Sequence, residues 1–106
     1  MATWFELSRN LKAGDRVVFT TPLDRFSEDL IVPAGTTCAV VANGLNEIHP
    51  TLFLLPDDPE IRKKLAAWDG EILLYCPADA GADPDTEAGA GWHETAPVEL
   101  LGGANR

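Results

Sequence analysis

The run Ile31-Val32-Pro33-Ala34-Gly35-Thr36-Thr37-Cys38-Ala39-Val40-Val41 constrains the fold more than any other stretch of this sequence. Proline presets φ at the first corner of a turn, Ala-Gly carries the chain round, and the β-branched residues that follow favour a pleated backbone. A turn feeding a strand in this way reads as the corner of a small β-barrel. Sheet is therefore expected to organise the chain.

The flanking sequence repeats the theme of short apolar runs cut by turn residues. Arg16-Val17-Val18-Phe19-Thr20-Thr21 reads as the first strand and ends at Pro22, because proline donates nothing to a ladder. Leu23 to Asp29 reads as a polar excursion with Phe26 as its one large aromatic residue. Thr36 to Ala42 is the second core strand, closed by Asn43-Gly44, a pair suited to positive φ. Leu45 to Pro50 is a loop, and Thr51 to Leu55 and Glu71 to Cys76 are further strands, the second stopped by Pro77. Val98-Glu99-Leu100-Leu101 is a short closing strand, and Gly102 to Arg106 is a tail.

One helix is well signalled. Asp58 is placed to cap it, Pro59 suits its first position, Glu60 lies at its positive end, and Gly70 stands beyond its stop. Ile61, Leu65 and Trp68 form its apolar stripe, while Arg62, Lys63 and Lys64 face outward. In residues 1–12, Trp4, Leu7 and Leu11 share helical spacing, so this segment either lays a short amphipathic helix on the body or docks its aromatics as a half-ordered terminus.

At 106 residues the chain is long enough for one modest core, so residues 1–106 are expected to form a single domain. No apolar run approaches the ~20 residues that cross a bilayer, and the N-terminus lacks a basic region followed by an apolar one, which points to the cytoplasm and away from a membrane. The net charge of −9 is uneven: four cations and six acids over residues 1–53 give −2, and four cations and eleven acids over 54–106 give −7. Such a surface repels phosphate backbones, which disfavours direct nucleic-acid binding and favours a protein partner with a basic surface. Residues 77–91, PADAGADPDTEAGAG, hold no large apolar residue and no cation and read as a mobile acidic loop.

Several short patterns look familiar together: G-D-R-V at 14–17, D-R-F at 24–26, V-P-A-G-T at 32–36, W-D-G-E-I at 68–72 and V-E-L at 98–100. Over residues 12–101 the chain resembles a group of small uncharacterised bacterial and phage proteins with SH3-like barrels. The resemblance implies a mainly β fold, an SH3-like barrel of about five strands with one short inserted helix. It implies no activity. One departure from the group is Cys38, which stands where related corners carry a second glycine; the other is the length of the acidic loop.

Reactive residues are sparse and scattered. Cys38 and Cys76 form no C-x-x-C pair and read as small buried hydrophobes. With His49 and His93 they supply zinc-type donor atoms, but at separations of 11, 27 and 17 residues, unlike the close pairs of structural zinc sites. Asp83, Asp85, Glu87 and Glu94 match four positions of a calcium loop, yet Ala88 occupies the place of its turn glycine. Asp24, His49 and His93 are the available acid-base groups, with no nucleophile elbow, H-E-x-x-H or phosphate-cradling loop to accompany them. No metal or cofactor is expected.

The expected function is that of a small non-enzymatic interaction module or accessory subunit. Its partner contacts are Arg25, Phe26, Trp68 and Trp92, since aromatic side chains contribute large apolar area for little lost rotamer freedom. An alternative is an acidic inhibitor from a mobile element, using Asp79, Asp83, Asp85, Glu87 and Glu94 to mimic nucleic acid on a defence or DNA-handling enzyme. A small metal-dependent enzyme is the third reading, and would require a pocket with converging polar groups.

Overall fold

The computed structural model describes residues 2–27, 30–78 and 81–101, though not the side chains of residues 25–27, 30 and 68. Helix α1 (Trp4–Asn10) leads into β1 (Arg16–Phe19), β2 (Leu23–Ser27), β3 (Leu30–Val32), β4 (Thr37–Gly44) and β5 (Thr51–Pro56). Helix α2 (Pro59–Lys64) and a 3-10 turn (Ala66–Trp68) follow, then β6 (Ile72–Tyr75), a second 3-10 turn (Ala90–His93) and β7 (Val98–Leu100). The fold is mainly β, as the sequence implies.

Five strands form one antiparallel sheet in the order β6-β5-β4-β1-β7, and β2 pairs with β3 as a separate two-stranded arm. The first core strand is thus flanked by the second and the last, with Val17 opposite Cys38 on one side and Leu100 on the other. β6 and β7 are the two edges, and no ladder joins them among the described residues.

Burial alternates along the strands with period two, so one face meets the core. Val17 and Phe19 of β1, Cys38 and Val40 of β4, Leu52 and Leu54 of β5, Ile72 and Leu74 of β6 and Val98 of β7 are all buried. Beyond Val40 the register shifts: Val40 faces Leu54 and Ala42 faces Phe53, which leaves Val41 as an extra residue. A bulge of this kind bends a strand and sharpens its twist.

Helix α2 starts where the sequence places it, and residues 4–10 take the helical one of their two readings. Thr3 Oγ1 accepts the Glu6 amide while the Glu6 carboxylate takes the Thr3 amide, a capping box that starts α1. Trp4, Leu7 and Leu11 all turn into the core, which decides between the two readings of residues 1–12 in favour of the packed helix. Asp58 caps α2 through the Glu60 amide at 2.9 Å, with Pro59 at its start. α2 stops at Lys64 and tightens into the 3-10 turn before Gly70, so the regular helix is shorter than the apolar stripe implies.

Two local readings need correction. The excursion after β1 is a paired hairpin, β2–β3, whose Leu23 and Val32 are buried; polar spacing hid the two apolar anchors at its base. Asn43-Gly44 does not turn the chain but lies within β4, opposite Leu52 and Thr51. Glycine is required there for closeness, because a Cβ on Gly44 would sit 2.7 Å from the Thr51 carbonyl oxygen. The chain turns after it, at residues 45–49.

Candidate functional site: a groove beside the N-terminal helix

Asn43 positions the first wall of the site. Its amide nitrogen donates to the Leu11 carbonyl at 3.0 Å and approaches the Leu7 and Ser8 carbonyls at 3.4 Å, while its oxygen accepts the Leu45 amide at 3.0 Å. The last carbonyls of a helix have no partner within it. Asn43 meets that need from the sheet, and Asn46 adds a bond to the Ser8 carbonyl at 3.2 Å. The end of α1 and the β4–β5 loop are thereby fixed against each other.

The opposite wall comes from the chain after β6. The Gly81 amide donates to the Ile48 carbonyl at 2.9 Å, linking this wall to the same loop. Asp83 accepts the Asp85 amide at 2.9 Å, the Thr86 hydroxyl donates to the Asp83 carbonyl at 2.7 Å, and His93 Nε2 donates to the Pro84 carbonyl at 3.0 Å. Polar residues supply these bonds in a stretch without large apolar side chains. Gly91 lets the turn carrying Trp92 approach the backbone, since a Cβ there would lie 2.5 Å from the Ala78 nitrogen.

Between the walls lies an open cavity of about 480 Å³. Phe5, Leu45, Pro50, Pro84 and Trp92 give it apolar surface, and Ser8, Arg9, Asn46 and Glu47 add polar groups. Its volume falls within the range of ligand sites. Trp92 is only 7 % exposed, and its indole N–H is buried without a hydrogen-bond partner among the described residues. Ile48, also on the lining, is 69 % exposed. Arg9 lies over the Phe5 ring at 4.8 Å from its centroid, and Phe5 in turn meets the His93 ring at 6.0 Å.

Comparison with protein-family models, curated proteins and solved structures finds no match.

Of the expected contacts, Trp92 lines this groove. The backbones of Arg25 and Phe26 lie on β2 and that of Trp68 in the 3-10 turn after α2, while their side chains lie outside the described part. Asp79 also falls outside the described residues. Asp83, Asp85, Glu87 and Glu94 are exposed around the groove-forming turns. Asp24, His49 and His93 are exposed as well, whereas Cys38 and Cys76 are buried free thiols. No three His, Cys, Asp or Glu side chains among the described residues gather as a metal site.

Burial pushes the Cys38 thiol up to about 12, helped by the nearby Asp57 charge and opposed by Arg16. Cys76 is also raised, again by burial first. Both shifts favour the neutral thiol in the folded chain. Sequence reasoning did not single out the Phe5–Arg9 pair, the capping role of the Asn43 side chain, or Ile48. The available signal was Ile48 itself, an aliphatic residue flanked by Asn46, Glu47 and His49.

Proposed function

We propose that this chain is an SH3-like barrel acting as a small non-enzymatic interaction module, and that it binds a protein partner through the groove between α1, the β4–β5 loop and the Trp92 turn. The carrying observation is the open cavity of about 480 Å³ with Trp92 and Phe5 in its lining. The strand order, with β1 between β4 and β7 and a hairpin arm directly after β1, supports the barrel reading, as does the bulge that bends β4. Apolar surface that stays open beside a few placed polar groups is typical of recognition sites.

A peptide from an unbiased display library selected against the full chain tests this reading. It is expected to shift the backbone NMR signals of Ser8, Ile48 and Ala82 and to lose at least tenfold in affinity on Ile48→Ser. Ile48 is exposed, so this change leaves the core intact. Peptides that move only the signals of residues 23–27 and 66–68, or a failure to select any, would overturn it.

A further inference from the structure

Resting on that reading, we infer that the partner offers the groove a short segment in which an apolar side chain is followed closely by lysine or arginine. The apolar part follows from the lining, where half-buried Phe5 and Pro84 and exposed Ile48 leave hydrocarbon surface open to an incoming side chain. The basic part follows from the charges at the lips. Glu47 belongs to the lining beside Ile48, and on the facing wall exposed Asp83 and Asp85 bracket Pro84, which also lines the groove.

Arg9 is the single cation among the lining residues, and it lies over the Phe5 ring. The chain as a whole carries −9, so its long-range field adds to the local one. An acidic segment or a nucleic-acid phosphate approaching this mouth meets repulsion from both. A segment with apolar and cationic groups side by side gains burial from the first and charge complementarity from the second.

The test uses peptides enriched from the same unbiased library, measured against the full chain and against the double variant Glu47→Lys, Asp85→Lys. Neither side chain makes a hydrogen bond that holds the described fold together, and circular dichroism checks that the variant folds. Enriched peptides are expected to place Lys or Arg next to an apolar residue, to bind the double variant at least tenfold more weakly, and to weaken similarly on raising salt well above physiological strength. Neutral or acidic peptides that depend on Ile48 but ignore the charge reversal would overturn the inference and leave the groove reading standing. Basic peptides indifferent to Ile48→Ser would overturn both, since attraction to the acidic surface alone would explain them.

Discussion

Asn43 on β4 holds the Leu11 carbonyl at 3.0 Å, closing the C-terminal end of α1 from the sheet beneath it. The same side chain accepts the Leu45 amide, so one residue fixes both the helix end and the start of the β4–β5 loop. Asn43→Ala removes these bonds and takes the side-chain partner from the Leu11 carbonyl and the Leu45 amide, while Leu7 and Ser8 keep theirs from the Leu11 amide and Asn46. It is expected to cost about 1–3 kcal/mol, seen as a lower urea midpoint with an unchanged denaturant slope. Amide exchange should quicken first across residues 7–11.

At the other end of the sheet, the Arg16 guanidinium and the Thr37 hydroxyl converge on one carboxylate oxygen of Asp57. These bonds hold the Asp57 carboxyl below its ordinary range, the Thr37 hydroxyl contributing most. A depressed carboxyl pKa stabilises the fold above the unfolded value and loses that contribution as pH falls through the folded one. Both side chains are well exposed, so Asp57→Asn is expected to cost less than about 1 kcal/mol at neutral pH. Stability curves of wild type and variant should converge below pH 3.8, the ordinary value.

The buried thiols give a prediction of opposite sign. A raised thiol pKa favours the fold while the unfolded thiol is still neutral, so the contribution of Cys38 is complete below its ordinary 9.0 and declines as pH rises toward about 12. A thiol-reactive disulfide reagent at pH 8 is expected to leave the native chain unmodified and to label both cysteines in urea. Cys38→Ala should shift the alkaline unfolding midpoint upward relative to neutral-pH stability. Fast labelling of native protein would contradict the burial of both residues.

Gly91 tests the wall that carries Trp92. Gly91→Ala places a methyl group 2.5 Å from the Ala78 nitrogen and 2.6 Å from the Pro77 carbonyl carbon, both of them backbone atoms. The backbone has to shift, at an expected cost of about 1–3 kcal/mol. Tryptophan emission should move to longer wavelength as Trp92 gains water.

Strand content was readable because β-branched runs and their proline or glycine stops leave few other options, and Asp58-Pro59 marked α2 without ambiguity. The β2–β3 arm was missed because its inward anchors, Leu23 and Val32, lie nine residues apart, so no local alternation exposes them as a pair. Gly44 misled for a different reason. Glycine serves both positive φ and close approach, and only the position of the Thr51 carbonyl distinguishes the two. For the groove, Trp92 was legible as an aromatic residue beside a polar stretch. Its neighbours Phe5 and Ile48 were not, because they come from a helix and a loop more than forty residues away in the chain, joined through Asn43 and the Gly81 amide.

Helix α1 with its cap residue Leu11 buries Trp4, Leu7 and Leu11 on one side, while Phe5, Ser8 and Arg9 line the cavity on the other. Folding and the proposed recognition therefore draw on the same first turns of the chain. Natural variation that reshapes the opening for a new partner has to leave every third or fourth residue untouched, and shortening the amino end would remove a lip of the opening together with the plug that keeps water from the sheet.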